Sequence, residues 1–280
     1  MLALRGQSAR GHRPSGRLIP NVRSPQYAGL IDVYGGTART STDLMGLPIT
    51  YVGTFDTKVG FLRPNPLPDC FIQNNQAGAN SGGLTFAAPG GAWGATTDRY
   101  TISMWAYESQ DAVAARGLFQ MGTPSWSLGL AHSVTTAGAF RASVVTTSGG
   151  AAQFNTGETP VYPAFAWHHV TVVWNPPSGL FLYVNGVQQA SNTTATTTLR
   201  DVSDMRVFGN SNIAANGWDG SIADFRVYRR AFNAAEVWSL YDPATRWDLH
   251  WVPGRRVFFD VGAAPAGGNR RRRVICGATA

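Results

Sequence analysis

Two histidines stand side by side, His168 and His169, at the head of "WHHVTVVWN". Such a pair could ligate a metal or move protons. Neighbouring residues on a strand point to opposite faces, however, so the two rings cannot reach one metal from the same side. The pair reads as the start of a strand, with no catalytic duty. Carboxylates are the next candidates. The chain has only three glutamates, Glu108, Glu158 and Glu236. A retaining glycosidase needs two carboxyl groups about 5–5.5 Å apart. The nearest pair, Glu108 with Asp111, falls on opposite faces if its strand continues. Glu236 fits better as a helix cap. There is no nucleophile elbow, phosphate loop or H-E-x-x-H. No catalytic residue is expected, and the chain is not read as an enzyme.

Binding chemistry has more candidates. "GNSNIAANGWDG" carries Asn210, Asn212, Asn216 and Asp219, whose hard oxygens suit calcium. One carboxylate among amides is a weak set, and a polar turn-rich loop is the plainer reading. Calcium is the one cofactor left open. Trp93, Trp126 and Trp218 lie near Gly-rich loops. Exposed there, their rings could stack on sugars. Trp105, Trp167 and Trp174 sit in strand patterns and belong to a core. Cys70 and Cys276 lack metal-like spacing; a structural disulfide is left open, and two free thiols are the plainer reading.

Charge is segregated along the chain. Residues 1–31 carry five arginines and no acid, and residues 246–280 carry seven arginines against Asp248 and Asp260. Residues 32–245 hold 11 basic and 14 acidic side chains. This is a near-neutral body with cationic ends. Arg255, Arg256 and the run Arg270, Arg271, Arg272 and Arg273 are the expected anchors, since guanidinium forks pair with carboxylates on a partner. Nothing resembles a base-reading fold, so sequence-specific nucleic-acid binding is not expected. No apolar run reaches the roughly 18 residues of a membrane span. The apolar part of the N-terminal segment is too short for a signal peptide, so a secretory route is not expected.

The elements that must position these residues are short strands. "LPITYVG", "VGFLR", "GGLTFAAPGG", "YTISMWAYES", "RGLFQMG", "SWSLGLAHSV", "AFRASVVTTSG" and "AAQFNTG" follow one another between turn residues. "WHHVTVVWN" and "LFLYVNG" flank the Pro-Gly turn "NPPSG", and Asn185-Gly186 is a hairpin signal. "MRVFGNSN" and "GSIADFRVYRRAF" add two more strands, and "YAGLIDVYGG" one at the start. "NAAEVWSLY" is the single good helix, with Asn233 and Glu236 spaced as a capping box. The expected class is all-β, a sandwich or barrel. The expected organisation is a basic arm over 1–26, a body over 27–245 and an Arg-rich extension over 246–280.

Three blocks, "YTISMWAY", "WHHVTVVWNPPSGLFLYVNGVQQ" and "WDGSIADFRVYRRAFNAAEVWSLY", resemble the laminin-G-like, concanavalin-A-like jelly-roll domains. The resemblance implies a jelly-roll β-sandwich between extended N- and C-terminal arms. It also implies a histidine pair without chemistry and a rim where such domains hold calcium. The glucanases of this fold use an E-x-D-x-x-E motif, which is missing here. The flanks "NVRSPQYAGLIDVY" and "LYDPATRWDLHWVPGRRVFF" are similar to those of bacteriophage and prophage proteins carrying this domain. That similarity implies a virion protein, on the capsid or near the head–tail junction or tail. Its partners would be capsid, portal or tail subunits, with a homo-oligomer and a glycan partner left open. The alternative is a carbohydrate-binding module for host-surface or mucus glycans.

Overall fold

The computed structural model describes residues 19–34, 49–52, 71–73, 83–87, 93–108, 117–122, 127–132, 136, 138–146, 153–195, 197–207, 218 and 220–251. The expected strand "VGFLR" lies outside them. Two antiparallel sheets face each other. The first runs β10 (Gln153–Asn155), β9 (Phe140–Val145), β8 (Leu128–His132), β7 (Gly117–Met121), β14 (Asp204–Val207), β5 (Gly83–Ala87), β3 (Ile49–Val52). The second runs β13 (Val187–Asn192), β12 (Gly179–Val184), β11 (Trp167–Asn175), β6 (Tyr100–Glu108), β15 (Gly220–Tyr228), β2 (Leu30–Tyr34). A short β4 (Phe71–Gln73) also pairs with β15. Between the sheets lie Ile102, Met104 and Ala106 of β6, Val170, Val172 and Trp174 of β11, and Leu180, Leu182 and Val184 of β12. They meet Phe119, Leu130, Phe140 and Met205 from the first sheet. The alternation that marks these strands in the sequence is the alternation of this core.

The other face of the second sheet is also covered, so β6, β11 and β15 are buried nearly throughout. The helix α1 (Ala234–Tyr241) lies there, with Val237 and Leu240 packed beside Val173, Tyr183, Tyr228 and Phe232. Its capping box is formed as expected. The Asn233 side chain accepts from the Glu236 amide at 3.0 Å, and the Glu236 carboxylate accepts from the Asn233 amide at 2.9 Å. Asn185 and Gly186, both at positive φ, close the β12–β13 hairpin. Trp238 leans so close over Gly186 that a Cβ there would lie 2.7 Å from the indole.

A buried ion pair organises this third layer. In β15 the register with β6 shifts between Ala223 and Arg226, and Asp224 sits at φ 50°. This bulge holds Ile222 and Phe225 in the inner core while Ala223 stays outside against Trp105 and Trp247. Arg226 is 1 % exposed. Its Nε and Nη2 donate to the two oxygens of Asp224 at 2.9 and 2.7 Å. Nη1 donates to Gln26 Oε1 at 2.8 Å, and Nη2 also donates to the Arg246 carbonyl at 2.8 Å. The Gln26 amide in turn donates to the carbonyls of Ser239 and Thr245. Burial works against the Arg226 charge, but Asp224 and Tyr228 more than offset it, and its pKa is pushed up.

Buried residues lie on both sides of the positions 26/27 and 245/246. Ser24 and Gln26 are buried, as are Arg246, Trp247 and Leu249. Beyond them β1 (Ile19–Pro20) pairs antiparallel with β16 (His250–Trp251). The composition of both segments is basic and polar, which reads as an arm, yet Arg226 needs Gln26 and the Arg246 carbonyl to satisfy its fork.

Removing one partner of a buried pair strands the other's charge, which costs about 3–5 kcal/mol. Arg226→Met and Asp224→Ala are each expected to lose that much in equilibrium urea unfolding. Gln26→Ala, which deletes neutral partners, should lose about 1–3 kcal/mol. A loss below about 1 kcal/mol for Arg226→Met would contradict the role given to the pair.

Candidate functional site

The histidines diverge as strand geometry requires. His169 faces the outer layer, 2 % exposed, with its ring 5.2 Å from Trp105 and 6.2 Å from Tyr241. Burial first, and the Arg226 charge second, push its pKa down to about 3. His168 faces the other way, into a crevice at one end of the sandwich. Its Nε2 sits 3.0 Å from the Pro163 carbonyl, which makes Nε2 the protonated nitrogen. Burial lowers its pKa, and the bond to Pro163 works in the opposite direction. Both rings are neutral structural groups at pH 7.

That crevice is small and mixed in character. Glu108, Phe140, Tyr162, Pro163, His168 and Trp218 line it, with Ala106 and Gly138. The Tyr162 ring lies tilted 5.1 Å from His168 and 5.8 Å from Phe140, while Phe140 lies 6.3 Å from Trp218. The loop that carries Tyr162 is held by two backbone bonds, Tyr162 to the Gly138 carbonyl and Phe165 to the Glu108 carbonyl, both 2.9 Å. The void measures about 10 Å³, room for roughly one water. It cannot admit a sugar ring. It offers one carboxylate, Glu108, and one histidine. Among the described residues no group of three or more His, Cys, Asp or Glu side chains could hold a metal.

Two tryptophans expected at the surface are not there. Trp93 and Trp218 are each 1 % exposed and belong to the inter-sheet core. Trp93 is drawn in by its amide bond to the Val202 carbonyl at 2.8 Å. Trp218 lies under β6, with Nε1 donating to the Tyr107 carbonyl at 3.2 Å. Gly220 allows that approach, since a Cβ there would stand 1.9 Å from the same carbonyl oxygen. Neighbouring glycines read as loop signals, whereas here they let backbone and indole pack closely. Neither ring face is free to stack on a ligand. Trp105 and Trp174 are core residues, as expected, and Trp167 is half-buried against Tyr107. Trp126, Asn210, Asn212, Asn216, Asp219, Arg255, Arg256, Arg270, Arg271, Arg272, Arg273, Cys70 and Cys276 lie outside the described residues.

The exposed aromatics are others. Trp238 is 46 % exposed and Phe165, at φ 62°, is 58 % exposed. Trp238 was legible: in "NAAEVWSLY" it falls off the Val237–Leu240 stripe that α1 buries. Its indole is held edge-on by Tyr241 at 5.5 Å and lies against Gly186. It is a fixed ring beside the β12–β13 turn. Phe165 gave no such signal, because its exposure follows from a left-handed backbone that only the fold reveals.

A laminin-G family model, described as the concanavalin A-like lectin/glucanases superfamily, matches residues 78–238. That is more than half of the chain, and the chain belongs to this superfamily. None of the curated proteins searched matches the sequence. Among solved structures, the binding domain of botulinum neurotoxin DC in complex with SialylT superposes with a TM-score of 0.56 at 12 % identity. The match covers 76 % of this chain and 51 % of that one, so the chain spans about half of the neurotoxin domain. The same neurotoxin domain in complex with rat synaptotagmin II gives 0.55 at 11 %, with 76 % and 51 % covered. Domain 4 of AbnA, a GH43 extracellular arabinanase from Geobacillus stearothermophilus, in complex with arabinotriose, gives 0.54 at 16 %. There 77 % of this chain and 99 % of that domain are covered. At these identities the likeness is one of fold.

The buried His169 has a consequence in acid. Its folded pKa lies near 3 against an ordinary 6.5, so between those values the unfolded chain binds a proton that the folded one refuses. Its contribution to stability is complete above about pH 6.5 and is lost as pH falls toward 3, at no more than about 1.4 kcal/mol per pH unit. His169→Phe keeps the ring and removes the titration. Urea unfolding between pH 7 and 4 should show a shallower acid slope for the variant. Identical slopes would contradict the assignment.

Proposed function

We propose that the chain is a non-enzymatic structural protein of a bacteriophage virion, decorating the capsid or serving the head–tail junction or tail. The sandwich is the displayed body, and the basic ends fasten it to neighbouring subunits. The observation that carries this reading is the separation of charge from fold. Residues 1–18 hold four arginines and no acid, and residues 252–280 hold six arginines and Asp260, a net +9. The +7 of the whole chain leaves −2 for residues 19–251. Cationic ends on a near-neutral body suit attachment to acidic neighbours. The flanks similar to those of phage proteins give the setting. The crevice supports a non-catalytic role, being too small for a sugar and supplying one carboxylate where a retaining hydrolase uses two.

The test is incorporation into particles. Truncations at Leu18 and at Trp251 spare Gln26 and Leu249, so each chain should unfold with unchanged cooperativity. Neither should be retained on purified particles assembled with it. Full occupancy by both truncated chains would refute anchoring by the ends.

A second reading, a carbohydrate-binding module, is favoured by the fixed and exposed indole of Trp238. Solved complexes of the same fold with SialylT and with arabinotriose add to it. A rigid aromatic face with polar neighbours is what a sugar ring stacks on. Under the virion reading, Trp238→Ala leaves host adsorption unchanged and a glycan array blank for both chains. A glycan signal in the wild type that vanishes in Trp238→Ala would make the carbohydrate module the better assignment.

A further inference from the structure

The β1–β16 ribbon puts the two cationic ends at one place. Ile19 pairs with Trp251 and Pro20 with His250. The Asn21 amide donates to the Leu249 carbonyl at 2.6 Å, and the Asn21 side chain donates to the Asp248 carbonyl at 3.0 Å. Paired residues of an antiparallel ladder stand about 4.5–5.5 Å apart. Ile19 and Trp251, to which the two cationic segments are joined, therefore lie side by side, although they are 232 positions apart in the chain. Arg17 is two residues from the ribbon, and Arg255 and Arg256 are four and five from Trp251. At no more than about 3.6 Å per residue, all three stay within roughly 20 Å of it whatever course the chain takes. Arg23, exposed, adds a fourth guanidinium beside the ribbon.

We propose that the two ends act as one bipartite anchor, focused by the ribbon, for a protein surface that is acidic and partly apolar. This rests on the reading of the chain as an anchored subunit and gives that attachment its geometry and chemistry. The partner class follows from what accompanies the arginines. Val257, Phe258, Phe259 and Val261 follow Arg255 and Arg256, and Val274 and Ile275 follow Arg273. Val22, next to Arg23, is 67 % exposed. Phosphates need no aliphatic complement, whereas protein interfaces combine an apolar centre with arginine and aromatic side chains. With both ends held at one site, engagement of the first raises the effective concentration of the second.

The experiment measures anisotropy of a labelled 20-residue peptide of interspersed glutamates and leucines, with a labelled DNA duplex of equal net charge as rival. The full chain is compared with three variants. One carries Arg→Gln at 5, 10, 13 and 17, and one carries Arg→Gln at 255, 256 and 270–273. The third keeps every charge but has 30 Gly/Ser residues inserted between Leu18 and Ile19, outside the fold. Either glutamine set should weaken peptide binding at least about tenfold, since each removes one arm of a two-arm contact. The insertion roughly doubles the chain between the two arginine sets and should weaken binding about three- to fourfold, as local concentration falls with the three-halves power of length. An insertion without effect would overturn the single anchor, and tighter binding to DNA than to peptide would overturn the partner class. The virion reading fails separately, if both truncated chains remain on particles while the insertion still weakens peptide binding in solution.

Discussion

Arg226 is the charge around which the outer layer is arranged. A guanidinium buried in a sheet face must have its donors met, because an unpaired buried charge costs several kcal/mol. The fold meets four of them with Asp224, Gln26 and the Arg246 carbonyl. Each partner comes from a different stretch: a bulge in β15, a 3-10 turn near the start of the fold, and the segment after α1. The ion pair ties β15, in the second sheet, to the two segments that lie over its outer face. His169 and Trp105 lie beneath that layer, which is why the histidine is forced neutral and the indole is hidden.

The concanavalin-A-like frame constrains what this chain can do at its rim. Glucanases of this fold work on a pair of carboxyl groups; the crevice here is closed by Tyr162, Phe140 and Trp218 and presents Glu108 alone. Among the described residues, the exposed rings of Trp238 and Phe165 lie outside this crevice.

Much of the fold was legible because burial writes itself as period. β6, β11 and β12 show one apolar face at every second residue, and the Asn185-Gly186 turn and the Asn233–Glu236 capping box are local devices that need no tertiary knowledge. Side-chain exposure in loops was not legible. Trp93 and Trp218 follow glycines, and glycine marks both open turns and close packing; only the carbonyls of Val202 and Tyr107 decide between them. The body's limits were hidden for a related reason. Gln26 and Arg246 are polar residues in basic surroundings, and their burial depends on a partner some 200 positions away in one case and 20 in the other. Long-range polar satisfaction leaves no periodic trace.

The clasp also orders events in time. Gln26 closes contacts with Ser239, Arg226 and Thr245, and β2 pairs with β15, near the other end of the fold. On the ribosome, the first-made segment must wait until nearly the whole domain has emerged before it has anything to hold. Such non-local closure makes for slow folding. During that wait the outer faces of β6 and β11, with Trp105, Trp167 and Val173, stand uncovered, and the nascent chain is at its most vulnerable to self-association. Completion of this sandwich is therefore a terminal, all-at-once step in which the earliest and latest residues of the domain lock together.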